Sequence, residues 1–195
     1  MNSGYLRVAN TYSAIGFVPR GWPAKWLLSK QWDRLHRYQL VGPFVSRADW
    51  RSLGLAGPYA ASGYYPPGPA LLNVFAELGI TCPPPPSPER LLHQLQLLAV
   101  LDGLSDSELA TWWSETEVIQ ALAHRPTRFR VPDGLYRADT GEWVAVEIWS
   151  RGPTDPILLE KLRDVWVNTY ADRIRIISLD GTTTLRHREE VAANA

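Results

Sequence analysis

Apolar and polar positions alternate along the chain with two clear periods. From Ala24 to Leu40 the spacing is helical: Leu28, Trp32, Leu35 and Gln39 share one stripe, with Lys30, Arg34 and Arg37 opposite. Ser46 is a natural cap for a second short helix through Arg47–Leu53, which Gly54, Gly57 and Pro58 would break. Gly63-Tyr64-Tyr65 reads as a short strand or wing, and Pro69–Leu78 as a helix closed by Gly79. Pro88–Leu104 is a further helix, with Leu91, Leu95, Leu98 and Leu101 close to one stripe and Gly103 ending it.

Beyond that helix the pattern shifts toward strands. Thr111-Trp112-Trp113 predicts a short strand, and Ser114 with Glu117 has the capping-box spacing for a short helix through Ala123. That makes Glu117 a cap and His124 a helix-end residue. Asp133–Ala138 and Glu142–Ser150 flank the turn signal Asp139-Thr140-Gly141 and predict a pair of strands. The second is apolar on both faces and so reads as a buried central strand. Asp155 caps a helix that begins at Pro156 and turns Leu158, Leu162 and Val165 inward, and Arg173–Leu179 predicts a last strand. The tail over residues 181–195 reads as flexible. The layout is α/β, a small mixed sheet flanked by helices.

Composition adds a boundary and a charge asymmetry. Pro83–Pro86 favours an extended polyproline segment and marks 83–88 as a linker between residues 1–82 and 89–180. The chain has 195 residues and no net charge, yet residues 1–60 hold eight Lys/Arg against two Asp. A basic first third is the footprint of a polyanion-binding surface. Two short helices, a wing and a further helix match a winged-helix-like DNA-binding segment, in which Lys30, Arg34, Arg37, Arg47 and Arg51 would touch phosphates. Trp22, Trp26, Trp32 and Trp50 are expected to pack rather than stack on bases. One cysteine, Cys82, excludes an internal disulfide and a Cys-rich zinc site. With no long apolar run and no basic-then-apolar leader, the expectation is a cytoplasmic protein without a membrane segment.

The chemistry centres on Glu147, a carboxylate in the middle of an apolar strand. Such a group is costly unless paired or metal-bound. A salt bridge to Arg137 or Arg175 is the structural alternative. Asp133 opens the neighbouring strand, so the two carboxylates can converge, and two hard oxygen donors suit Mg²⁺ or Mn²⁺. Pro132-Asp133 followed by Glu147 on the next strand resembles the PD-(D/E)XK nuclease superfamily. Within it, WWSETEVIQAL, RVPDGLYRADTGEWVAVEIWSRG and LLEKLRDVW are similar to the plasmid replication-relaxation (mobilisation-associated) family, over roughly residues 64–180. The resemblance implies a restriction-endonuclease-like domain after a winged helix, and metal-dependent hydrolysis of DNA phosphodiesters. Where the superfamily has a lysine, this chain has Trp149. Arg151 and Lys161 are the candidate substitutes, and Glu115 a candidate third acidic ligand.

Three readings follow. The first is a metal-dependent deoxyribonuclease acting in plasmid or phage replication or mobilisation. The second is an inactive pseudonuclease that binds DNA as a regulatory factor. The third is a protein–protein interaction module using exposed tryptophans and prolines. DNA is the expected partner, with a homodimer left open. The four histidines are too scattered for a metal site, and neither a Gly-rich phosphate loop nor a Ser-His-Asp grouping is present.

Overall fold

The computed structural model describes residues 3–47, 49, 63–85, 87–122, 130–149, 156–169, 171–178 and 182–187. The chain divides into two compact units, Met1–Asp102 and Gly103–Ala195.

The first unit opens with α1 (Ser3–Ile15), an element the sequence reading left unassigned. Its Val8, Tyr12 and Ile15 recur at spacings of four and three and are buried, and with Phe17 and Trp22 they make the core of this unit. A three-stranded antiparallel sheet follows the order β1 (Val18–Pro19), β3 (Gly63–Tyr65), β2 (Val45–Ser46). The expected strand at Gly63-Tyr64-Tyr65 is its centre.

The expected helix Ala24–Leu40 is two helices, α2 (Pro23–Trp26) and α3 (Ser29–Arg37). Leu27 and Leu28 between them are extended. Leu28 precedes the first turn of α3, where its backbone N–H donates to Gln31 Oε1 at 2.8 Å, and its side chain is exposed rather than on the buried stripe. Gln39 does not join the stripe either. It adopts a left-handed φ of 56° just past the end of α3, ending the helix where a glycine would ordinarily sit. Ser46, expected to cap a helix, is the last residue of β2, where it pairs with Gly63. The rest of the helix expected through Leu53 lies outside the described residues apart from Arg47 and Asp49. The α4 helix (Pro69–Glu77) matches expectation.

The α5 helix (Pro88–Gly103) was expected to open the second domain, after the proline run. The division between the compact units falls later, at Asp102 and Gly103. Side-chain bonds explain why. Asp102 Oδ1 accepts from Trp22 Nε1 at 2.8 Å and Trp26 Nε1 at 2.9 Å, while Oδ2 takes Lys25 Nζ at 2.9 Å. Arg7 lies over the Trp26 ring and donates to Leu101 O at 2.8 Å. These bonds tie the end of α5 to α1 and α2.

Cys82 lies just before the proline run, its Sγ donating to Tyr12 O at 3.2 Å. Burial pushes its thiol up to about 11. Alkylation by iodoacetamide at pH 8 is therefore expected to be about 100-fold slower in the folded chain than in urea, because thiolate is the reactive form. Equal rates would show that the thiol is not held. The sign for stability follows: the native state keeps this proton longer, so its contribution is full below the unfolded thiol value and is lost as pH rises through about 11.

The second unit is a five-stranded mixed sheet in the order β4 (Trp113–Ser114), β5 (Gly134–Arg137), β6 (Trp143–Trp149), β7 (Arg173–Ser178), β8 (Thr183–His187). It also carries α6 (Asp106–Leu109), α7 (Glu115–Ala121) and α8 (Pro156–Thr169). Among the described residues only β6 and β7 pair in parallel, with Glu147 opposite Ile176, because α8 carries the chain back between them. Leu158, Leu162 and Val165 of α8 and Val118 of α7 pack with Ala145, Ile174 and Ile176 of the sheet. The tail expected to be flexible from residue 181 instead contributes β8, which runs antiparallel to β7 from Ile177–Thr183 to Arg173–His187. An edge strand needs only backbone pairing, so its polar sequence is no obstacle. No helix among the described residues is long and apolar enough to cross a membrane.

Candidate functional site

The hairpin of β5 and β6 positions the two central carboxylates. Gly141, at φ 92°, lets the chain reverse after Asp139-Thr140. The resulting register sets Gly134 opposite Val146. Asp133 immediately precedes Gly134, and its Oδ2 accepts the Ile148 backbone N–H at 2.7 Å. That bond extends the ladder beyond the last paired residue and fixes the carboxylate beside the middle of β6. Asp133 is 8% exposed and Glu147 fully buried, as the strand pattern predicts.

Lys161, on α8, supplies the cation. Its Nζ lies 2.6 Å from Glu147 Oε2. It sits between Leu158 and Leu162, both buried against the sheet, so its long stem runs along the covered face. Of Arg151 and Lys161, Lys161 is the one the structure brings to Glu147; Arg151 lies outside the described residues. The alternative pairing of Glu147 with Arg137 or Arg175 is not what forms. Arg137 Nε instead donates to Gly141 O at 2.9 Å, and Arg175 lies close to Tyr136.

Glu115, the first residue of α7, acts electrostatically on both Glu147 and Lys161. Its place follows from the capping box: Ser114 Oγ accepts the Glu117 N–H and Glu117 Oε2 accepts the Ser114 N–H at 2.7 Å. Glu117 is thus the cap the sequence implied, and Glu115 is left to the charge cluster.

Burial, then the neighbouring Asp133, raise the Glu147 carboxyl well above the usual carboxylate range, and Lys161 offsets this only in part. Burial also works against charge on Lys161, but Asp133, Glu147 and Glu115 together hold its ammonium above the ordinary lysine value. Lys161 is therefore a fixed positive charge at neutral pH, not a base. Glu147 Oε1 is buried and receives no hydrogen bond among the described residues. An orphaned carboxylate oxygen beside a second carboxylate suits a hard cation that brings its own water or phosphate ligands. Among the described residues, no three His, Cys, Asp or Glu side chains form a complete metal cage.

Trp149 lies two residues from Glu147 on the same face of β6, half-buried against the core that α7 and α8 cover. Its indole N–H is buried with no hydrogen-bond partner among the described residues. In the first unit, Lys30, Arg34 and Arg37 are exposed on α3, and Arg47 is paired with Asp49 through a 2.9 Å Nε–Oδ1 bond. Arg51 lies outside the described residues. The sequence reading missed a cavity between α1, α3 and α4. Compared with known proteins, the chain matches no family model, no curated protein and no solved structure.

Proposed function

We propose that the chain is a DNA-binding protein whose second unit is a nuclease-like domain that hydrolyses phosphodiesters with Mg²⁺ or Mn²⁺. The observation that carries this reading is Glu147: fully buried, with one oxygen on Lys161, the other without a donor, and Asp133 and Glu115 close enough to raise its affinity for a proton. A carboxylate kept in that state at the cost of stability is better explained by chemistry than by packing. Asp133 and Glu147 would hold the cation, which when bound polarises a phosphate oxygen and lowers the pKa of a water nucleophile. Lys161 would neutralise charge that develops on the phosphate oxygens. Asp133 is aligned for its part by the Ile148 N–H, and the apolar faces of α7 and α8 limit water around the carboxylates.

In this reading the second unit is restriction-endonuclease-like, and the first is a winged-helix-like segment that holds DNA through Lys30, Arg34, Arg37 and Arg47. The test is cleavage of plasmid, branched and single-stranded DNA with Mg²⁺, Mn²⁺ or EDTA, alongside Asp133→Asn and Glu147→Gln. Metal-dependent cutting that both substitutions remove is the expected result. Trp149, in the strand position where the superfamily has lysine, favours a second reading: a DNA-binding factor with a retired site. DNA retention that weakens steeply with salt, without cutting under any metal, supports that one instead.

A further inference from the structure

The border of α3 and the three-stranded sheet carries four aromatic rings that touch in turn. Trp32 and His36, one helical turn apart on α3, meet edge to face with centroids 5.1 Å apart. Tyr65 of β3 meets both, at 5.1 and 5.5 Å. Phe44, the residue before β2, falls across from Tyr65 in the register of β2 with β3, and its ring lies 5.4 Å away. Trp32 thus packs, as expected, and holds Tyr65 from the helix side. Phe44 is held by the sheet: a Cβ on Gly63 would come within 2.6 Å of its ring. Yet Phe44 is 38% exposed, and Trp32, His36 and Tyr65 are only half-buried.

Arg20 completes the patch. It follows β1, its backbone N–H donates to Gly63 O at 3.3 Å, and its guanidinium lies over Phe44 at 5.3 Å from the ring centroid. That guanidinium has no carboxylate partner among the described residues, whereas Lys25, Arg130 and Arg173 each have one. Of the two carboxylates in residues 1–60, Asp49 is taken by Arg47, and Asp33 is exposed on α3. Rings fixed by one another, with an uncompensated cation beside them, suit a ligand with a flat apolar face and an anionic link. An unpaired nucleobase with its phosphate has both. A paired base does not, because a duplex stacks its ring faces inward and offers only edges and phosphates. Since the rings already hold one another, little side-chain freedom is lost when a base arrives.

We infer that this patch binds an unpaired base of single-stranded DNA, the base on Phe44 and Tyr65 and the adjoining phosphate on Arg20. The inference rests on the DNA-binding reading above and narrows it. The cations of α3 would hold the phosphates of any DNA, whereas the patch selects DNA whose bases are open.

The test is fluorescence anisotropy of the full chain with a labelled oligothymidylate and a labelled hairpin duplex, in EDTA so that neither is cut. The single strand is expected to bind about tenfold more tightly than the duplex. Phe44→Leu should weaken the single strand about tenfold, as loss of one stacked base requires, and leave the duplex unchanged. Phe44→Tyr keeps the ring and should bind like the parent. Arg20→Gln should reduce the salt dependence of single-strand binding by about one phosphate contact. Unfolding midpoints that match the parent check that each variant is intact. Single-strand binding that neither Phe44→Leu nor Arg20→Gln alters would overturn the inference, while duplex binding in the same titrations would leave the DNA-binding reading standing. Absence of binding to both forms would overturn the two together. Binding of decaproline that Phe44→Leu abolishes, with oligothymidylate unaffected, would also overturn the inference, by assigning the rings to a proline-rich peptide.

Discussion

Lys161→Ala is expected to cost about 3 kcal/mol of stability at pH 8 and less than about 1 kcal/mol at pH 4, and to slow any metal-dependent cleavage by about 100- to 1,000-fold. The stability part follows from Glu147. Its folded value is raised, so over the range above the ordinary carboxylate value the native state binds more protons than the unfolded chain. Stability therefore falls as pH climbs through that range. Lys161 is the group that limits the rise, and removing it leaves the fully buried Glu147 with no cation at 2.6 Å. The penalty is bounded because Glu147 can take up a proton instead, at about 1.4 kcal/mol per pH unit. Near pH 4 the carboxyl is protonated with or without Lys161, and the two proteins converge. The paired neutral substitution Glu147→Gln with Lys161→Met should return stability to within about 1 kcal/mol of the parent while remaining inactive. Urea unfolding at the two pH values measures this. A pH-independent loss would show that Lys161 acts through its stem packing and not through the ion pair.

The second large effect is steric. Gly134 opens β5 next to Asp133, and a Cβ there would come within 2.0 Å of the Trp112 ring. The reason is close approach: Trp112 is buried over Gly134 and stacks on Tyr136 with centroids 6.3 Å apart. Gly134→Val is therefore expected to destabilise the chain by about 3 kcal/mol, the upper part of the usual range for overpacking. Because Asp133 adjoins the displaced strand end, any metal-dependent cleavage should fall with stability. Trp112→Leu should partly rescue Gly134→Val by removing the ring that clashes. A Gly134→Val protein as stable as the parent would mean that Trp112 moves aside freely.

The site was more legible in the sequence than the first unit was. Alternation over Trp143–Trp149 exposed Glu147 as the odd carboxylate in a buried strand, and the turn at Asp139–Gly141 brought Asp133 beside it. The Ser114–Glu117 spacing separated the capping glutamate from Glu115. What the pattern does not contain is the choice of cation. Arg137, Arg175, Arg151 and Lys161 were all within conceivable reach, and only the packing of α8 on the sheet selects Lys161. Elsewhere, local signals lost to tertiary ones. The helix expected over Ala24–Leu40 is split by the extended Leu27 and Leu28, which leaves Leu28 off the buried stripe. Ser46 has cap chemistry but is taken by β2, and the polar Thr183–His187 is held by backbone pairing with β7. The cavity was hidden because its walls come from three helices far apart in sequence.

The single parallel pairing in the sheet has a consequence for the order of assembly. The β5–β6 hairpin closes through a short turn, a microsecond event for an isolated pair of strands. It brings Asp133 and Glu147 together before any cation is near. Lys161 comes only with the crossover helix, whose docking waits for β7 to find β6 as a pairing distant in sequence. A growing chain that has emerged only as far as Pro156 thus carries two carboxylates that repel each other, without the cation that pairs with Glu147 once the sheet is complete.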